Sequence, residues 1–150
     1  MTLRFRGHHP HAIDNKGRLS IPAKFREILK VQYDERLMVS FMDNCLTAYP
    51  YSEWVKLEDQ FLTFPQHDDD VNGLLRGYIS VVEECPLDNQ GRILIPPMLR
   101  ELAGIREKVL ILGCLYKIEI WDYDAYKAEV AGKVKEASIL SKRLSREYKF

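Results

Sequence analysis

Cysteine is scarce in this chain, and its pattern excludes a disulfide framework. Cys45, Cys85 and Cys114 are three in 150 residues, unevenly spaced and without a Cys-x-x-Cys pair. Each stands among apolar residues, so buried, reduced thiols are expected. Long hydrophobic runs are missing too, which excludes a membrane-spanning helix. The N-terminal Met-Thr-Leu-Arg-Phe-Arg-Gly has no apolar signal core. A cytoplasmic location without a membrane partner is expected. There is no Gly-rich phosphate loop and no Ser-His-Asp or Cys-His signature, so the expectation is no enzyme, no cofactor and no small-molecule substrate. His8, His9 and His11 do not form a metal site: neighbours on a strand point to opposite faces, and Asp14 is the one acidic residue near them. His67 with Asp68, Asp69 and Asp70 reads as a solvated loop rather than a metal cluster.

Charge of one sign is absent as an excess. Lys and Arg number 22, Asp and Glu 22, and a net charge of zero argues at first against a nucleic-acid partner. The distribution reverses that impression. Residues 1–30 hold Arg4, Arg6, Lys16, Arg18, Lys24, Arg26 and Lys30 against Asp14 and Glu27. Residues 31–72 are strongly acidic, with Arg36 and Lys56 as their cations. A basic arm can meet phosphate while the acidic segment faces elsewhere or meets a basic surface.

What the chain does contain is one statement made twice. Residues 13–26 read Ile-Asp-Asn-Lys-Gly-Arg-Leu-Ser-Ile-Pro-Ala-Lys-Phe-Arg, and residues 87–100 read Leu-Asp-Asn-Gln-Gly-Arg-Ile-Leu-Ile-Pro-Pro-Met-Leu-Arg. Asp14, Asn15, Gly17, Arg18, Ile21, Pro22 and Arg26 return as Asp88, Asn89, Gly91, Arg92, Ile95, Pro96 and Arg100. Residues 46–54 also align with residues 118–126. This is a tandem repeat of a small module. Each half is near the size where a core alone is marginal, so a shared core or association with other chains is expected.

Each half reads strand, turn, strand, helix, strand, strand, helix. Residues 3–13 are extended. Asn15-Lys16-Gly17 makes a turn, with Gly17 supplying positive φ. Arg18-Leu19-Ser20-Ile21 alternates as a half-buried strand does, and Pro22 opens a helix that buries Phe25, Ile28 and Leu29. Ser52 is expected to cap the next helix. In the second half, residues 79–87 and 92–95 read as strands around the turn at Asn89-Gln90-Gly91. Gly104 closes a helix. Asp122 or Asp124 starts one last helix carrying a charged tail. Trp54, Trp121, Tyr49, Tyr123 and Tyr126 read as core.

The string Asp-x-x-Gly-Arg-apolar-x-Ile-Pro-x-x-apolar-Arg resembles the swapped-hairpin fold of AbrB-like and MazE-like transcription factors. Two copies, the Phe5-Arg6-Gly7 start and a connecting helix pair make the whole chain resemble the MraZ family over residues 4–145. The resemblance implies an α+β fold of two tandem pseudo-symmetric AbrB-like swapped-hairpin modules with short helices. The expected boundaries are 4–54 for repeat 1, 55–76 for a helical connector, 77–124 for repeat 2, and 125–150 for a C-terminal helix and tail. It further implies a ring-like homo-oligomer that binds short tandem G-rich promoter repeats on double-stranded DNA. The function it implies is a sequence-specific, nucleoid-associated repressor of a bacterial cell-division and cell-wall gene cluster. The competing reading is an oligomeric interaction or antitoxin module whose motif serves only folding and assembly.

The family's Asp-x-x-x-Arg motif falls on Asp14 with Arg18 and on Asp88 with Arg92. Its common turn lysine is Lys16 in the first copy, whereas the second carries Gln90. The expected DNA contacts are Lys16, Arg18, Arg92, Arg6, Asn15 and Gln90. Asp14, Gly17, Asp88 and Gly91 are expected to hold the turns, each Asp by capping turn amides and aiming its Arg. Arg92 is the weaker candidate, since Glu83, Glu84 and Asp88 lie close in sequence. Arg26-Glu27 and Arg100-Glu101 read as paired, solvated or interfacial positions.

Overall fold

Strand alternation builds one six-stranded antiparallel sheet, described in a computed structural model over residues 2–149. Met1 and Phe150, the end of the expected tail, lie outside the described residues. The sheet strands are β1 (Phe5–Ala12), β3 (Arg36–Met42), β4 (Cys45–Pro50), β5 (Glu83–Pro86), β7 (Lys108–Leu115) and β8 (Ile118–Asp122). They lie in the order β1-β7-β8-β4-β3-β5. Short strands β2 (Arg18–Ser20) and β6 (Arg92–Leu94) pair separately as a two-stranded ribbon.

The order carries the exchange of hairpins. β1 of the first repeat pairs with β7 of the second, from Phe5↔Leu115 to Ala12↔Lys108. β5 of the second repeat pairs with β3 of the first, from Arg36↔Pro86 to Val39↔Glu83. Each repeat lends its first strand to the other, and β2 and β6 meet between them. The protein is therefore α+β, with two swapped-hairpin halves inside one chain.

Alternation also divides the core. Leu37, Val39, Leu46, Ala48, Val109, Ile111, Ile118 and Ile120 belong to one buried cluster with Leu19 and Ile93 of the ribbon. Phe25 and Leu29 of α1 (Ala23–Gln32) and Leu99 of α4 (Pro97–Leu102) join it. The cluster draws on both repeats, so neither half closes its core alone. A second cluster holds Tyr49, Trp54 and Tyr78 beneath α2 (Tyr51–Leu62). A third holds Leu110, Leu112, Trp121 and Tyr126 beneath α5 (Tyr123–Glu129). The recurring aromatic residues thus sit in or against the core, with Tyr123 packed at its margin.

Several boundaries differ from the sequence expectation. The strand expected over 79–87 starts at Glu83, because Leu75–Ile79 forms a π-helical turn after α3 (Asp69–Leu74). Ser80 N–H donates to Leu75 O at 2.8 Å, and Tyr78 is held by Ser40 Oγ donating to its carbonyl at 2.6 Å. Those anchors keep the backbone wound. Asp68 is not simply loop: its side chain accepts from Asp70 N–H and Val71 N–H and caps α3. Ser52 does not cap α2; the helix starts at Tyr51 directly after Pro50, with no side-chain cap. The last helix is two, α5 and α6 (Ala131–Tyr148), broken at Val130 just before Gly132. α4 closes as expected. Gly104 has φ +62, its N–H donates to Glu101 O, and Ile105 N–H donates to Arg100 O at 2.9 Å. Arg4 precedes β1 rather than lying within it.

Candidate nucleic-acid interface

The two turns are built by the same bonds. Asp14 Oδ1 accepts from the backbone N–H of Lys16 at 3.0 Å and of Arg18 at 2.9 Å. Its Oδ2 accepts from Arg18 Nε at 2.7 Å. Asp88 repeats this with Gln90 N–H at 2.8 Å, Arg92 N–H at 3.0 Å and Arg92 Nε at 3.0 Å. In each turn the glycine N–H returns to the Asp carbonyl at 3.0 Å, with Gly17 at φ +89 and Gly91 at φ +74. A short carboxylate satisfying turn amides is what Asp does best at such a corner. These donors hold Asp14 down at about 2, with the Arg18 amide the largest cause and the Arg18 guanidinium and Lys16 amide adding to it. Asp88 is lowered by the matching set, led by the Arg92 amide.

Pairing with Asp14 leaves Arg18 able to reach outward. Asp14 takes only Nε, and among the described residues neither Nη of Arg18 or Arg92 has an acceptor. Each guanidinium keeps a free end with four N–H donors. The side chains remain 37% and 27% exposed.

The ribbon sets where these ends point. β2 and β6 pair as Arg18↔Leu94, Leu19↔Ile93 and Ser20↔Arg92. Leu19 and Ile93 are buried, so strand alternation turns Arg18, Ser20, Arg92 and Leu94 to the other face together. The two arginines stand diagonally on one outward face, about 7 Å apart along the strands at roughly 3.3 Å per residue. Lys16 and Asn15 are exposed at one end, Asn89 and Gln90 at the other. The first end carries two cations beside its Asp, the second one. Glu84 does not neutralise Arg92, because it is occupied by Arg36 at 2.9 Å. Arg6 is not gathered with this set. It lines a shallow groove with Arg4, His9, Lys24 and Glu27.

Arg26 and Arg100 do not pair with Glu27 and Glu101. Arg26 Nε donates to Ile21 O at 3.1 Å and its guanidinium lies over Gly91; Arg100 Nε donates to Ile95 O at 3.0 Å and lies over Gly17. Ile21 N–H donates to Gly91 O and Ile95 N–H to Gly17 O. Each helix arginine therefore clamps the turn of the opposite repeat. The fixed spacing from Gly to Arg is the only trace of this in the sequence, and it does not say which turn is reached.

Among the described residues no three His, Cys, Asp or Glu side chains gather as metal ligands would. His9 Nε2 contacts Arg6 O, and His8 lies edge-on to Tyr126. Cys45 and Cys85 are buried and free, whereas Cys114 is only half-buried. Burial pushes Cys85 up to about 12 and raises Cys45 as well, so neither is a thiolate nucleophile near neutral pH. No described helix is long and apolar enough to cross a membrane.

Comparison with known proteins fits this duplicated geometry. A family model described as "MraZ protein, putative antitoxin-like" matches residues 4–77 and again residues 80–144. The chain belongs to the MraZ family. A protein named transcriptional regulator MraZ from Syntrophobacter fumaroxidans is 46% identical over 126 residues, covering 84% of each chain. Its namesake from Caldicellulosiruptor saccharolyticus is 39% identical, covering 83% of this chain and 85% of that protein. The one from Acetivibrio thermocellus is 36% identical across 94% of this chain and 96% of its own. Both matched segments contain one Asp-braced turn.

Proposed function

We propose that this protein is a transcription regulator that reads double-stranded DNA with the outward face of the β2/β6 ribbon. The observation that carries the reading is the pair of Asp-braced arginines on that one face, each with a free guanidinium end. A two-stranded ribbon fits the major groove, and a fixed Arg fork suits the O6 and N7 acceptors of guanine. Arg18 and Arg92 contact bases. Lys16, Asn15 and Gln90 contact phosphate or base edges at the two ends, and Arg6 meets backbone phosphate beyond them. The relatives' name, transcriptional regulator, supports the same class. At its finest the reading is a repressor of a cell-division and cell-wall gene cluster, acting in the cytoplasm at the nucleoid. One ribbon offers few base contacts, so a ring-like homo-oligomer gains affinity by engaging tandem repeats at once.

The test is a footprint of the full-length protein on the DNA upstream of its own gene, followed by anisotropy at several salt concentrations. Protection should fall on a series of short repeats. Log affinity should drop linearly with log salt, by roughly 0.9 per neutralised phosphate. Arg18→Ala should weaken binding more than Arg92→Ala, because Lys16 stands beside Arg18 whereas Gln90 stands beside Arg92. No protection, with no binding at any salt, would leave the ribbon as an assembly element only.

A further inference from the structure

The outward face of the ribbon carries one apolar residue beside its arginines. Leu94 is 58% exposed at the end of β6, on the outward face that also carries Arg18 and Arg92. It lies directly opposite Arg18, with side chains on the same face, so their Cβ atoms are about 4.5–5.5 Å apart. The matching position in the first repeat is Ser20, opposite Arg92. The two copies therefore present different pairs: Arg18 with Leu94, and Arg92 with Ser20. The fold does not require the difference, because both positions point away from the core while Leu19 and Ile93 point into it.

We infer that Leu94 is a specificity-determining residue that reads the C5 methyl group of a thymine beside the guanine read by Arg18. The inference rests on the DNA-reading ribbon proposed above. In the major groove a leucine can neither donate to nor accept from a base edge. The thymine methyl is the apolar feature displayed there, and apolar side chains are its natural partners. The separation of Leu94 from Arg18 corresponds to one or two base steps, so guanine and thymine fall within a single short site. Ser20, a small hydroxyl, donates or accepts at any base and imposes no such demand beside Arg92. The second repeat has the less cationic turn, yet it supplies the apolar element of recognition.

The experiment begins with selection of a random duplex library on full-length protein and on Leu94→Ala. Leu94 is exposed, so the variant keeps its core; a matching thermal melt checks this. The wild-type site is then synthesised with each thymine in turn replaced by deoxyuridine, which removes the methyl and keeps base pairing. At one thymine near the Arg18-dependent guanine, the change should weaken wild-type binding by about 3–5-fold, the effect of one methyl group. Leu94→Ala and Leu94→Ser should bind thymine and deoxyuridine probes equally. Equal wild-type binding at every deoxyuridine, or the same loss in Leu94→Ala, overturns the inference while leaving the arginine reading intact. A wild-type protein that enriches no sequence overturns both.

Discussion

Asp14 and Asp88 each use both carboxylate oxygens, one on backbone amides and one on a guanidinium. The residue does two jobs that no substitute combines: it closes the corner and it aims the arginine. The charge matters to the first job as well as the second, since the amides and the Arg18 guanidinium hold Asp14 at about 2 against an ordinary 3.8. A carboxyl whose pKa is lower in the folded state stabilises that state above the unfolded value and loses the effect as pH falls. The turn should therefore loosen between roughly pH 4 and pH 2 as Asp14 takes up its proton. Asp14→Asn removes the titrating group. Melting curves of wild type and Asp14→Asn should be well separated at pH 5 and converge toward pH 2; a constant gap would mean that the charge contributes nothing. The sequence reading found both roles of Asp14, because two copies of an Asp four residues before an Arg leave few alternatives. Arg26 and Arg100 were not legible in the same way. Their partners are backbone atoms and glycines of the other repeat, and spacing within one copy cannot reveal a contact made between copies.

At the scale of elements, each turn is wedged between its own Asp and a helix arginine from the opposite half. Gly17 and Gly91 are confined twice, by positive φ and by the guanidinium packed where a Cβ would stand. Gly104 also has positive φ, but a Cβ there meets open space. Substitution with Ala should cost about 1–3 kcal/mol at any of the three for backbone strain alone. Gly17→Ala and Gly91→Ala should cost more than Gly104→Ala, since the arginine clamp must also shift. Urea denaturation of the three variants checks the order. A Gly104→Ala loss as large as that of Gly91→Ala would show that the clamp yields freely. Elements with clear periodicity, such as α1 and β2, were legible from sequence. The π-helical turn and the break at Val130 were not. The first depends on Ser40 gripping the Tyr78 carbonyl from a distant strand, and the second has no proline to announce it.

At the scale of the molecule, the exchange of strands makes the two repeats interdependent. A first half alone would leave β3 without β5, β1 without β7 and β2 without β6. It would expose Phe5, Leu19 and Leu37, all buried in the shared cluster. Residues 1–66 expressed alone should therefore be unfolded or pair with a second copy; a folded monomer by sedimentation and circular dichroism would contradict the topology. The small size of each half pointed to a shared core, but not to its route. The repeat and the resemblance located the exchange, while pairing such as Phe5↔Leu115 spans nearly the whole chain and leaves no local mark. The same arrangement would arise from two identical chains, each carrying one module, and such a pair would be bound to palindromes, with both arginines in identical settings. Covalent joining lifts that restriction. Lys16 is matched by Gln90 and Ser20 by Leu94 across one pseudo-two-fold axis, so on the proposed DNA reading a site for this ribbon would have a head and a tail. The protein would then take a single orientation on such a site, and reversing the site would count as a mutation.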